Sequence, residues 1–466
     1  MNSTTFTRRS FLTAGGCFTL AGCAGFPAIT STRSPNGRVR HAAIGCGNMA
    51  WSDINDFCTH PNIEMAAFCD VDANYLAQAK AKFPQARFYR DWRELLASEG
   101  DRIDSMNVSI PDHNHTLVAA KALRSGKHVY LQKPLCKTMR EAKLLRDLGA
   151  SCGRVTQMGA QFIASEADRQ TVKLLREGTL GPVEHVTFFT TRKGLSRNRR
   201  PAPVPVAPPK TLEWDLWLGT AAARPYAEGV YHPLLWRIWR DLGSGWLGDI
   251  GCHLMSSVWM GLGLNDLSPV DVVAETETNA DPSVKDLVWP TATHIRWTMP
   301  AVAATGGKSI FFDWYDGCSE PDQLAPAWSR PPAEIDALFA KTPYGRRGHE
   351  GKAIKCRDGW ILALHRSEKG IFVVRNDGTV TGGPEVGPAP THFHEFIDRC
   401  RDGRRAAADF AWSTHMMELI LTGTIAERLP GRKLVWNRAA QAFDDPAANA
   451  YLGSAYRDGW RLDGLS

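Results

Sequence analysis

The chain has 466 residues and few cysteines, none closely paired. Its 11 cysteines never form a Cys-x-x-Cys arrangement, which excludes a zinc ribbon, a dithiol redox motif and a disulfide scaffold. It also lacks a strong charge of either sign. The 55 Lys+Arg against 49 Asp+Glu leave +6, an excess too thin for a nucleic-acid partner. Mean hydropathy is −0.28, so a multi-span membrane protein is excluded. No spaced set of His, Cys and carboxylates reads as a metal site; His392 and His394 are an isolated pair. With 43% hydrophobic and 22% charged residues, the composition is globular. The length predicts two domains with additions.

The first residues read as an address. Thr7-Arg8-Arg9-Ser10-Phe11-Leu12 has the form of a twin-arginine export signal, and residues 1–30 are set aside as signal and lipobox. Leu20-Ala21-Gly22-Cys23 reads as a lipoprotein processing site with Cys23 as the acylated residue. Both predict an exported protein, periplasmic or lipid-anchored at the cell envelope. Ser31 to Asn36 reads as a polar tether.

The folded part is expected from Arg38. A β-type run, Val39 to Ile44, leads into Gly45-Cys46-Gly47-Asn48-Met49-Ala50. In such a GxGxxA turn, the first glycine permits the turn and the second admits a pyrophosphate. The small third residue lets the helix pack on the strand. The next apolar run ends at Asp70, about 20 residues on, where a ribose-binding carboxylate is expected. A carboxylate accepts from a ribose 2′-hydroxyl and repels a 2′-phosphate, so NAD is favoured over NADP. Alternating strand and helix patterns follow. They include helices over 75–83, 91–98 and 116–125 and strands over 103–110 and 128–131. Pro111 to His115 and Gln132-Lys133-Pro134 fall at strand ends, the ligand edge of a doubly wound sheet.

These pieces, with Gly248-Asp249-Ile250-Gly251-Cys252-His253, resemble the glucose–fructose oxidoreductase/inositol dehydrogenase (Gfo/Idh/MocA) family, in its exported type with Gln-Lys-Pro. The resemblance implies an α/β protein: an N-terminal Rossmann domain over 38–155 and a C-terminal α/β domain over 156–435 with an open, mainly antiparallel sheet. A tail over 436–466 docks on the body. It implies a nicotinamide cofactor, a carbohydrate or polyol substrate, and a homo-oligomer, dimer or tetramer. Gln132 replaces the family's usual glutamate, placing a neutral amide beside Lys133.

Gly45, Gly47, Asn48, Met49, Ala50, Asp70, Pro111, His115, Gln132 and Lys133 are the expected cofactor contacts. A helix over 249–260 puts Asp249, His253 and Ser257 on one stripe, so Asp249 can orient His253. Oxidising a secondary alcohol needs a hydride acceptor, a base and a charge facing the developing alkoxide. Histidine suits the base role, and Lys133 suits the field. The family comparison gives Lys133, Asp249 and His253 comparable catalytic roles.

Six of the 16 tryptophans fall between Trp214 and Trp259. Aromatic faces stack on sugar C–H faces, so the substrate contacts are expected at Gln161, His232, Trp236 and Arg237. Five prolines in 201–209 predict an extended arm, and 316–351 reads as an irregular insertion.

The leading expectation is an exported NAD-dependent oxidoreductase that acts on a secondary hydroxyl of a sugar, polyol or glycoside. Retaining cofactor outside the cytoplasm at nanomolar dilution needs roughly −12 kcal/mol. Two alternatives stand beside it. One is a redox-neutral NAD-dependent glycosidase or lyase working by transient oxidation. The other is a non-enzymatic, lipid-anchored saccharide-binding protein.

Overall fold

The computed structural model describes residues 37–191, 202–317 and 326–465. The expected twin-arginine segment, Cys23 and the tether lie outside the described residues. Strands β1 (Val39–Ile44), β2 (Ile63–Cys69), β3 (Arg87–Tyr89), β4 (Ser105–Val108), β5 (His128–Leu131) and β6 (Thr156–Met158) form one sheet in the order 3-2-1-4-5-6. Every pair in it is parallel. The sheet continues to Met158, beyond the boundary expected at 155. The strand order reverses between β1 and β4, which opens a crevice at their carboxyl ends.

Helices α1 (Asn48–Phe57), α2 (Ala73–Lys82), α3 (Trp92–Glu99), α4 (His115–Arg124) and α5 (Met139–Ser151) connect these strands. Local chemistry fixes several starts. Asp72 accepts from Asn74 N–H to open α2, and Asp91 accepts from Arg93 N–H to open α3. Thr138 and Glu141 form a reciprocal capping box on α5. Asp91 is thus a cap and not the first helical residue, a shift usual at helix ends.

The second sheet has eight strands. β7 (Val183–Thr190), β8 (Asp271–Glu277), β9 (Ala292–Met299), β10 (Ile310–Asp316), β11 (Glu350–Cys356), β12 (Gly359–Leu364), β13 (Ile371–Arg375) and β14 (Val380–Gly382) run in the order 14-13-12-11-7-10-9-8. β7 and β10 are parallel; the other pairs are antiparallel. Helices α6 (Glu166–Glu177), α7 (Trp214–Leu218), α8 (Gly245–Leu262), α9 (Ala333–Ala340), α10 (His392–Asp402) and α11 (Phe410–Ala426) complete the main framework. α9 lies within the stretch expected to be irregular; its Ile335 and Phe339 pack with Phe189 and Leu362 of the sheet. The described part of the proline arm has no regular element and leaves Val204 and Val206 exposed.

The main core runs through both sheets, and α8 and α11 bridge them. Every residue of α8 except Met260 is buried, which is why it is apolar on nearly all faces. α10 packs the other way: Phe393, Phe396 and Ile397 meet Val39, Phe57 and Tyr130 on the parallel sheet. The tail carries regular elements of its own. β15 (Trp436–Asn437) and β16 (Ala442–Phe443) pair, and α12 (Pro446–Asn449) follows. Trp460 and Leu462 then bury against Leu117 and Ala120 of α4.

Candidate active site

A cavity of about 370 Å³ opens at the carboxyl ends of β1, β2, β4 and β5. One end is lined by Gly45, Gly47, Asn48, Met49, Ala50 and Asp70. Gly45 has φ +97°, and a Cβ there would strike the carbonyl oxygen of Ser109. Gly47 faces Tyr75, whose ring a Cβ would meet at 2.6 Å. No side chain caps α1, whose first residues Asn48, Met49 and Ala50 line the cavity. Asp70 closes this end. Its carboxylate accepts from Cys46 N–H at 2.7 Å and Asp72 N–H at 2.8 Å. Burial pushes its pKa up to about 6, although those two N–H groups pull it down.

The other end holds Lys133 and Asp249. Lys133 follows β5, and its Nζ donates to the Asp249 carboxylate and, at 3.2 Å, to the Asp249 carbonyl oxygen. Both side chains are buried. Arg237 Nε also donates to Asp249, at 3.3 Å, with its guanidinium 4.2 Å from the Trp236 ring centroid. Trp236, Arg237 and Trp246 line the cavity here together with Pro111 and Arg366.

The glutamine beside Lys133 has a defined role. Gln132 Nε2 donates to both Asp53 oxygens, at 3.0 and 2.9 Å, and its Oε1 accepts from Lys133 N–H at 3.0 Å. Ser109 Oγ donates to Asp53 at 2.7 Å. Burial pushes Asp53 up to about 7 against those hydrogen bonds. The carboxylate at this place thus comes from α1, and a neutral amide is the partner it can accept.

Other expected site residues are placed differently. The His115 ring lies between the carbonyl oxygens of Pro134, 2.8 Å from Nδ1, and Ile110, 2.7 Å from Nε2, and it does not line the cavity. It holds the two strand-end loops together. His232 lines the cavity but sits at the Asp70 end, where its Nε2 pairs with Asp72 at 3.1 Å. Its expected place among the substrate contacts is therefore not where the fold puts it. Gln161 lies on a short 3-10 turn outside the lining, with its Oε1 buried and without a hydrogen-bond partner among the described residues.

His253 is buried one turn beyond Asp249 and is not among the lining residues. Its ring stacks on His365 at 5.2 Å and meets Phe162 edge-on at 5.0 Å. Its Nδ1 has no hydrogen-bond partner among the described residues, so Asp249 does not orient it through that nitrogen. Burial, with Lys133 and His365 nearby, lowers its pKa well below the usual histidine value. Ser257 belongs elsewhere: it donates to Asp168 at 2.8 Å, and Lys352 joins both, tying α8 to α6 and β11.

Sequence reasoning missed Asp53, Asp112 and Arg366. Asp112 is buried at the cavity wall, accepts from Ser244 N–H at 3.1 Å, and has its pKa pushed up to about 7 by burial. Its place inside the strand-end motif Pro111 to His115 was the available signal. Asp53 and Arg366 lie in unremarked helix and loop sequence.

The arrangement matches one family along both domains. The model described as the oxidoreductase family with NAD-binding Rossmann fold matches residues 39–160. The model of its C-terminal α/β domain matches residues 172–294. The chain belongs to the Gfo/Idh/MocA oxidoreductase family. Among curated members, it is 27% identical over 156 residues to a glycosyl hydrolase family 109 protein of Shewanella sp. (strain W3-18-1), covering 32% of this chain and 34% of that one. It is 25% identical over 180 residues to D-apiose dehydrogenase of Paraburkholderia graminis, covering 37% and 48%. The chain therefore spans about a third to a half of the length of these relatives. The aldose-aldose oxidoreductase of Caulobacter crescentus, solved with glycerol, shares the fold at TM-score 0.57 and 18% identity, over 85% of this chain and 99% of that one. Levoglucosan dehydrogenase with NADH and levoglucosan does so at TM-score 0.56 and 15% identity, over 84% and 98%.

The family's NAD fits the residues present. The glycine turn admits close approach only because it lacks Cβ atoms, α1 begins uncapped, and Asp70 stands at the β2 end.

Proposed function

We propose that this protein is an exported oxidoreductase that acts, with tightly held NAD, on a secondary hydroxyl of a sugar, polyol or glycoside. The observation that carries the reading is the buried Lys133–Asp249 pair at the far end of the cavity that begins at Gly45 and Asp70. Bound NAD supplies hydride acceptance. The Gly45–Ala50 turn holds its diphosphate through backbone N–H groups, and Asp70 accepts from ribose hydroxyls. Lys133, itself buried, places positive charge where an alkoxide develops. Asp249, which lines the cavity, takes the hydroxyl proton; His253, one turn on, is neutral and packs on His365 outside the lining. Trp236 offers a face to the sugar ring, and Arg237 and Arg366 offer donors to its hydroxyls.

Export rests on Arg8-Arg9, and lipidation on Cys23. Assembly into a dimer or tetramer completes the reading, and native mass spectrometry of the exported protein measures both the added lipid and the subunit number.

A second reading is favoured by the names of the Shewanella relatives, which include an alpha-N-acetylgalactosaminidase 27% identical over 156 residues. In it, the same residues serve hydrolysis of a glycoside with no net redox change. The deciding experiment denatures protein purified after export and identifies the released nucleotide by mass. Near-stoichiometric NAD, followed by oxidation of free sugars, supports the oxidoreductase. Near-stoichiometric NAD with glycoside cleavage and no NADH supports the second reading. No nucleotide, and none taken up on incubation, overturns both.

A further inference from the structure

A second cavity, of about 520 Å³, lies between the start of α5, the loop before α8 and the end of α11. It shares no lining residue with the first. Lys137, Arg224, Arg240 and Arg428 all line it, against only two carboxylates, Asp241 and Asp286. Arg224 pairs with Asp241. The other three cations form no ion pair among the described residues. Lys137 Nζ donates to the Asp241 carbonyl oxygen at 2.7 Å, and Arg240 donates to the Asp286 carbonyl oxygen at 3.1 Å. Arg428 donates to the Arg240 carbonyl oxygen at 3.3 Å. The Arg240 Nε is buried with no hydrogen-bond partner among the described residues.

Two buried carboxyls, Glu141 near Lys137 and Glu427 near Arg240 and Arg428, lie outside the lining, and burial pushes Glu427 up to about 7; the cavity face therefore stays positive, and partly buried charges are costly without an anion. Burial accordingly lowers the pKa of Lys137, Arg224 and Arg240, and brings Arg428 down to about 10. The walls are aromatic. Arg428 lies 4.8 Å from the Trp289 ring centroid and 5.0 Å from that of Tyr451. Arg224 lies 5.7 Å from the Tyr231 centroid. Flat rings beside guanidinium forks suit a body with C–H faces that carries an oxyanion.

We propose that this cavity is a second binding site, for a saccharide-sized anion bearing a phosphate or carboxylate group. Arg240 and Arg428 grip the oxyanion, Lys137 adds charge beside Arg428, and Trp289 and Tyr451 receive the apolar face. Occupancy needs neither NAD nor turnover, so it is measured apart from the catalytic reading.

The test is calorimetric titration of the full-length protein with inorganic phosphate, glucuronate and neutral glucose, and the same titrations of Arg240→Gln, Arg428→Gln and their double variant. Saturable binding of phosphate or glucuronate is expected, weakened about tenfold by each single change, as loss of one charged hydrogen bond predicts. Phosphate alone binding assigns a phosphorylated ligand, and glucuronate alone an acidic sugar. Glucose binding should be the same in wild type and variants. Absence of binding by both anions, or equal affinity in the double variant, overturns the site. If the variants do not fold, hydrogen exchange of the wild type decides. Phosphate- or glucuronate-induced protection at 284–289 and 421–428 supports the proposal, and protection confined to other segments, or none, overturns it.

Discussion

Gln132 donates its amide to both oxygens of Asp53, at 3.0 and 2.9 Å, and so joins α1 to the strand end that carries Lys133. Replacing Gln132 by Glu would set two buried carboxylates against each other, and they could not both ionise. We expect Gln132→Glu to lower stability by about 2 kcal/mol or more at neutral pH. Asp53→Asn added to it restores an amide–carboxylate pair in reverse and should recover most of the loss. A double-mutant cycle by urea unfolding checks this; equal losses in the single and double variants would refute the pairing argument.

Asp53 also sets a pH dependence. Its folded pKa of about 7 lies above the ordinary 3.8, so the native state holds a proton that the unfolded chain releases. Its contribution is therefore present below the unfolded value and is lost as pH rises from about 4 to about 7. In the cofactor-free protein, Asp53→Asn should gain Tm relative to wild type across that window. A Tm difference that stays flat with pH would count against it.

Asp112 should leave its mark on turnover. Burial sets its pKa near about 7, at the wall shared with Lys133, Arg237 and Asp249. Above that pH its ionised form adds a carboxylate to the proton-accepting side of the site. The kcat/KM for alcohol oxidation is expected to rise through about pH 7, and Asp112→Asn should flatten that limb. His253, held neutral, should contribute no limb of its own between about pH 5 and 8.

Lys133→Met removes the charge facing the alkoxide. Asp249 keeps Arg237 as a partner, so the fold should survive. We expect kcat to fall by about 10²–10³, the loss usual for an electrostatic stabiliser, with NAD binding changed only a few-fold. Stopped-flow measurement of bound NADH formation reads the first, and nucleotide retention the second.

Gly45→Ala meets two obstacles at once. The backbone there is at φ +97°, and the new Cβ would strike the Ser109 carbonyl oxygen. A loss of more than about 1 kcal/mol of stability is expected from strain alone, together with loss of retained NAD. Thermal unfolding with nucleotide analysis tests both; wild-type retention would show that the turn tolerates a side chain.

Local patterns specified a good deal of this protein before any coordinates. The alternation of apolar strands with amphipathic helices dictated the parallel sheet, because a strand buried on both faces must be apolar throughout. The Gly45–Ala50 turn and Asp70 were legible because a dinucleotide demands small residues and a carboxylate at fixed intervals along one chain segment. The helix expected over 249–260 is the body of α8, which begins four residues earlier and is buried on nearly every side. Tertiary structure alone decided the partners. Asp249 faces Lys133 and Arg237 because α8 docks against the β5 end. His253, on the same helix, turns away to His365. Asp53 meets Gln132, and Arg240 meets Arg428, across stretches of sequence that carry no common period. Periodicity records which face of an element is buried. It does not record which element covers that face, and charge pairing depends on the second.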